Sequence, residues 1–151
     1  MVPEPDSSTP QSPGAGCEFC HSPGGAVLWQ NGLCRVVRVD DPDYPGFCRV
    51  IFNRHAREMT DLTPEERQGL MAVVYGVEKA VRETMGPDKM NLASLGNMTP
   101  HVHWHVIPRF RDDRHFPTPV WAAPQRESPV PEERVARAAD IARAIQAELG
   151  G

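Results

Sequence analysis

No stretch of this chain approaches the roughly 18 consecutive apolar residues of a membrane-spanning helix, and its first residues lack the basic-then-apolar order of a secretory leader. These two absences give the expectation of a cytoplasmic protein with no membrane partner. Basic charge is also in short supply: 16 Lys and Arg against 20 Asp and Glu leave a formal net charge of -4. A dedicated DNA or RNA binder needs a surface that neutralises many phosphates. No nucleic-acid partner is therefore expected, while a small phosphorylated ligand stays open. The chain has no Gly-x-x-x-x-Gly-Lys-Ser/Thr loop, which removes ATPase machinery of that type, and no internal repeat. Cysteine is limited to Cys17, Cys20, Cys34 and Cys48. In a reducing compartment these read as thiols or metal ligands rather than disulfide partners.

What is present suffices for one compact domain: 151 residues with 40% hydrophobic content can bury a core of their own. Residues 1–16 are mostly Pro, Ser, Gly and acidic side chains. They predict a disordered tail, because little burial offsets the entropy of ordering them; the folded domain is expected over 17–151. Ala26–Gln30, Leu33–Val39 and Cys48–Phe52 read as short strands, with Asn31-Gly32 as a hairpin signal. Cys34 and Cys48 fall within them and are expected in the core. In Thr63-Pro64-Glu65-Glu66, Thr63 can cap a helix, Pro64 suits its first position and Glu66 completes a capping box. The apolar positions Leu70, Val73, Val74, Val77 and Val81 then follow helical spacing up to a stop at Gly86-Pro87. Lys89–Leu95 and Val102–Ile107 read as antiparallel neighbours, since the five residues from Gly96 to Pro100 are too few for a crossover helix. Glu132–Leu149 places Val135, Ala138, Ile141, Ala142 and Ile145 on one helical face. The fold class is α+β, an antiparallel sheet packed with a central helix and a C-terminal helix.

Three of the six histidines alternate with apolar residues in His101-Val102-His103-Trp104-His105-Val106-Ile107. On a strand all three project from one face, and burial of Val102, Trp104 and Val106 fixes the register that holds them there. Neutral imidazole is a competent nucleophile near pH 7, and a neighbouring ring can donate a proton or hydrogen bond. A lone histidine would more simply line a polar sheet face; three in alternation favour chemistry. A catalytic zinc site is a rival reading, because His-x-His on a strand can direct two nitrogens at one metal that keeps an open position. His21 and His115, in polar or Pro-rich surroundings, are expected at the surface.

The segment His101–Ile107 resembles the His-φ-His-φ-His-φ-φ signature of the histidine-triad (HIT) family, φ being apolar, at every position. The likeness extends from about Cys17 to Trp121. It takes in Tyr44-Pro45-Gly46, the strand Phe47–Phe52, His55-Ala56-Arg57-Glu58, the capped helix and Gly96-Asn97. The chain closely resembles bacterial members often described as diadenosine-tetraphosphate-hydrolase-like. The resemblance implies a HIT-like fold, a dimer, and nucleotidyl transfer in which His103 forms a covalent nucleotidyl intermediate. By the same resemblance His105 contacts the phosphate and helps the leaving group, and His101 orients the set. Substrates implied are dinucleoside polyphosphates or nucleoside phosphoramidates, with a purine nucleotide as partner and no organic cofactor. Two positions depart from the pattern. Met98 stands where many relatives carry a hydroxyl, leaving Asn97 as the polar contact, and Phe47 stands where several branches have a further histidine. Base and ribose require an apolar cleft, sought along Leu33–Val39 with Asp40 or Asp41 near the ribose. A pocket that binds nucleotide without turnover is the alternative of a different class.

Cys17-Glu18-Phe19-Cys20 has the paired-ligand spacing of a zinc knuckle, and tetrahedral closure needs two further ligands. The resemblance to zinc-containing bacterial members supplies them: Cys17, Cys20, His55 and His101. Such a closed site would be structural, tying the start of the domain to the sheet and steadying His101.

Overall fold

The computed structural model describes residues 14–150. The tail expected over 1–16 lies outside these except for Gly14, Ala15 and Gly16, which turn back so that Cys17 N–H donates to the Gly14 carbonyl at 3.0 Å. Among the described residues five strands form one antiparallel sheet: β1 Ala26–Gln30, β2 Cys34–Arg38, β3 Cys48–Phe52, β4 Lys89–Ala93 and β5 His103–Arg109, in the order β1-β2-β3-β5-β4. The β1–β2 hairpin closes where the sequence places it, with the Asn31 Oδ1 accepting from the amides of Leu33 and Cys34 at 2.9 Å each.

Period-two alternation gives the sheet two unlike faces. Cys34, Val36, Cys48, Val50, Phe52 and Val106 pack against helix α2, Pro64–Met85, through its buried Leu70, Val73, Val74, Val77 and Val81. α2 starts with the expected capping box at Thr63 and Glu66 and ends at Gly86, whose φ of 60° is left-handed, a conformation glycine adopts without steric cost. The opposite face carries Arg35, Val37, Arg49, Ile51, His103 and His105, since the register aligns Arg35 with Ile51 and Ile51 with His103, and likewise Val37 with Arg49 and Arg49 with His105. Over it lies the one-turn helix α1, Glu18–His21, with Cys17 and Phe19 buried against Val37 and Ile51.

The single C-terminal helix expected over Glu132–Leu149 is two: α3, Glu132–Ala138, and α4, Ile141–Leu149. The Arg38 guanidinium takes the Ala138 carbonyl at 2.7 Å, and the amides of Ala139 and Asp140 bond three residues back instead of four. The break lets Ile141 and Ile145 reach the core, while Val135, expected on the same buried face, is 54% exposed. α4 crosses α2 at Gly76, where a Cβ would lie 2.4 Å from Leu149, so the helices approach closely only because none is there.

His115 corrects the surface expectation. It is buried, its Nδ1 2.6 Å from the Tyr44 hydroxyl, whereas His21 is exposed as expected. The reason is Asp113, whose carboxylate gathers the amides of Phe110, His115 and Phe116 and pairs with Arg109 at 2.9 Å. That turn carries His115 inward and starts the strap, residues 110–131, that returns over the histidine face. Burial by itself would raise the Asp113 pKa, but Arg109 and the three amides outweigh it and hold it down to about 2. Removing one partner strands a buried charge, so Asp113→Ala is expected to lose about 3–5 kcal/mol in denaturant unfolding. Because the folded pKa lies below the unfolded value of about 3.9, this contribution is complete above that value and disappears as pH falls toward 2. An acid-unfolding midpoint unchanged by the substitution would contradict the assignment.

Candidate active site and metal cluster

Strand β5 begins at His103, so the triad does not lie on one strand as the alternation suggests: His101 precedes it in a bend. All three imidazoles are buried, but they serve two places. His103 and His105 line a cleft of about 270 Å³ together with Glu18, Phe19, Arg49, Trp121 and the loop of Leu95, Gly96, Asn97, Met98 and Thr99. The His101 ring turns instead toward the cysteines.

The ring nitrogens can be assigned from their acceptors, since a backbone carbonyl only accepts. His103 Nδ1–H donates to the His101 carbonyl at 2.6 Å, which leaves Nε2 with the lone pair of the neutral ring. His101 Nε2–H donates to the Phe52 carbonyl. Its Nδ1 therefore carries a lone pair, 3.4 Å from Cys17 Sγ, 3.5 Å from Cys20 Sγ and 3.3 Å from His55 Nδ1. Cys20 Sγ lies 3.3 Å from His55 Nδ1, and ligand atoms of Cys17, Cys20, His55 and His101 all fall within 4.8 Å of one another. Two sulfurs and two nitrogens of this kind, one already fixed by a carbonyl on its far side, suit a closed tetrahedral metal site.

Aromatic rings shape the cleft. Phe19 meets His103 edge-on at 4.9 Å, Phe47 meets His105 at 5.7 Å, and Trp121 meets His105 at 5.0 Å. Phe47 thus puts an apolar contact beside His105. Burial, then the positive potential of His103 and Arg49, pushes the His105 pKa down to about 4, and its Nδ1 is buried without a partner. Asn97 lines the cleft. Asp40 does not: it lines a neighbouring depression with Gly24, Gly25, Ala26, Arg38 and Val39, which meets the cleft at Arg49. The apolar cleft sought along Leu33–Val39 is corrected in part, because Cys34, Val36 and Val37 are fully buried in the two cores and only Arg38 and Val39 reach that depression.

A model of the HIT domain matches residues 24–112, more than half of the chain. The chain belongs to the HIT family. It is 32% identical over 95 residues to a bis(5'-nucleosyl)-tetraphosphatase (asymmetrical) of Schizosaccharomyces pombe, covering 60% of this chain and 52% of that protein. It is 29% identical over 100 residues to an AP-4-A phosphorylase of Mycobacterium tuberculosis, covering 62% and 51%. It therefore spans about half the length of these curated relatives. Among solved structures, a histidine triad protein of Bradyrhizobium japonicum superposes with a TM-score of 0.69 at 27% identity, covering 85% of this chain and 92% of that one. One of Marinobacter aquaeolei gives 0.67 at 31%, covering 83% and 92%. A Zn-bound histidine triad family protein of Mycobacterium smegmatis shares the fold, with a TM-score of 0.62 at 22% identity over 88% and 95% of the chains.

In this HIT chain Arg49, Phe19 and Trp121 are among the cleft-lining residues to which the sequence assigns no role. Arg49 is found by counting strand register, because it stands opposite His105. Phe19 sits between the paired cysteines, and Trp121 depends on the path of the strap, for which the sequence offers only prolines.

The low His105 pKa has a measurable consequence. Imidazole NMR is expected to show His105 neutral throughout pH 6–8 and protonating near 4. The unfolded chain binds that proton near pH 6.5, so His105 makes stability fall as pH drops from that value toward 4. A His105 midpoint at the ordinary imidazole value would remove the buried environment assigned to it.

Proposed function

We propose that this chain is a nucleotide hydrolase that works through a nucleotidyl-histidine at His103. The observation that carries the reading is the Nδ1–H bond from His103 to the His101 carbonyl. It selects the tautomer whose Nε2 is a nucleophile, in a ring that lines the cleft. Attack of Nε2 on the α-phosphorus forms a P–N bond as the bond to the leaving phosphate or amine breaks, and the leaving group departs with the electron pair. Water then attacks the same phosphorus, the P–N bond breaks, and a nucleoside monophosphate and a proton are released. A neutral His105 has one N–H to give to a phosphate oxygen, and Asn97 can donate at the mouth of the cleft; donors so placed stabilise charge that develops in the transition state. The S. pombe and M. tuberculosis relatives support dinucleoside polyphosphates as the substrate class.

The metal proposed is zinc, held by Cys17, Cys20, His55 and His101. Bound there, it would cross-link the first turn of the domain to the sheet. His103 is outside this set of four, which supports a structural role over a zinc-dependent hydrolase. Homodimerisation is proposed with β4 at its interface: β4 is an edge strand of the sheet and exposes Leu92. Asp40, on its depression beside the cleft, is proposed to face the ribose.

Mass spectrometry of protein quenched during turnover of diadenosine tetraphosphate is expected to show one added adenylate on wild type and none on His103→Ala, with turnover reduced roughly ten-thousand-fold or more. Equal turnover by His103→Ala would sink the covalent mechanism. Wild type that binds nucleotide without adduct or turnover would leave a binding module. For the metal, elemental analysis is expected to find one zinc per chain, lost in Cys20→Ser together with a lower melting temperature. Zinc-free wild-type protein of the same stability would refute the site.

A further inference from the structure

Arginine is put to two different uses on the histidine face of the sheet. Arg35 is consumed by the fold: its guanidinium donates to the carbonyls of Phe19, Ser22 and Pro23 and to the Asn53 side chain, at 2.6–3.2 Å. Arg49 is not. Of the five N–H groups of a guanidinium, the described structure engages one, donated to the Gly24 carbonyl at 3.0 Å. Its Nε is buried with no partner, and its positive carbon lies 5.3 Å from the centre of the Phe19 ring. Among the described residues no carboxylate pairs with it, although Arg54, Arg109, Arg114, Arg134 and Arg143 all have one. Glu18 is the one acidic residue on the same cleft.

A half-buried cation with idle donors is unfavourable unless something compensates it. Its position says what that is. Arg49 is the residue shared by the cleft of His103 and His105 and the depression of Asp40, and it stands directly across from His105 in the β3–β5 register. Any ligand running from one to the other must pass the guanidinium, whose planar fork matches phosphate oxygens.

We propose that Arg49 is a specificity-determining residue that binds the phosphate chain of the substrate, so that the cleft selects nucleotides with several phosphates over those with a neutral group on the α-phosphate. This rests on reading the cleft as a nucleotide site, but not on its turnover.

The test is binding of AMP, ADP and ATP by calorimetry, made in His103→Ala protein so that no reaction intervenes. With Arg49 present, affinity is expected to rise about tenfold or more from AMP to ATP, as a charge-assisted hydrogen bond would supply. Arg49→Met is expected to abolish that rise while changing AMP affinity less than about threefold, and Arg49→Lys to restore part of it. A rise retained in Arg49→Met, an equal loss for all three nucleotides, or no ATP binding with Arg49 intact would each overturn the proposal. Should Arg49→Met melt early, Arg49→Lys carries the same comparison. With His103 restored, Arg49→Met is expected to lower kcat/KM for diadenosine tetraphosphate at least about tenfold more than for an adenosine phosphoramidate; equal losses would overturn it. Binding that follows Arg49 with no turnover of either substrate would support Arg49 and count against the hydrolase alone.

Discussion

His101 is the residue through which the rest of the site is held. Its Nε2–H is fixed by the Phe52 carbonyl, its Nδ1 faces two sulfurs and a second imidazole, and its own carbonyl accepts the Nδ1–H of His103. One bend in the chain thus orients the cysteine cluster with its side chain and the His103 ring with its backbone. The bend is anchored in turn: the Val102 amide donates to the Ala56 carbonyl and the Val102 carbonyl accepts from the Phe52 amide. Geometry of this kind fixes a tautomer, which spacing along a strand cannot do.

Much of this was legible in the sequence, because the signals were local or periodic. The capping box at Thr63 and Glu66, the stop at Gly86 and the hairpin at Asn31 each depend on a few adjacent residues, and each stands where expected. The alternation around His103 and His105 required only period two. What misled were interactions between distant segments: Arg38 reaching Ala138 breaks a periodic helix, and Asp113 gathering three amides buries His115. The cluster of Cys17, Cys20, His55 and His101 illustrates the same limit. Their spacing in the chain did not unite them; the family resemblance named the set, and the folded chain brings the four together.

Aromatic rings set the surroundings of the two imidazoles. Phe19 packs on His103, Phe47 and Trp121 pack on His105, and burial is the leading cause that lowers the pKa of both. A cation beside neutral imidazoles would be costly in a closed apolar pocket. It is tolerable here because Phe19 offers its ring face, Gly24 its carbonyl, and the cleft opens to solvent.

That arrangement makes one wall of the cleft dependent on a segment with little structure of its own. α1 is a single turn, and Cys17, the residue just before it, makes no side-chain capping bond, so its isolated stability is negligible. Its position comes from Cys17 and Phe19 packing on Val37 and Ile51, from the Arg35 donors, and from the sulfurs beside His101 and His55. Phe19 lies between those sulfurs in the chain and against His103 in space. Whatever draws Cys17 and Cys20 together therefore also seats the ring that packs on His103 and faces Arg49. Cluster and cleft therefore depend on the same short segment, which sets Cys17 and Cys20 beside His101 and His55 and Phe19 beside His103 and Arg49.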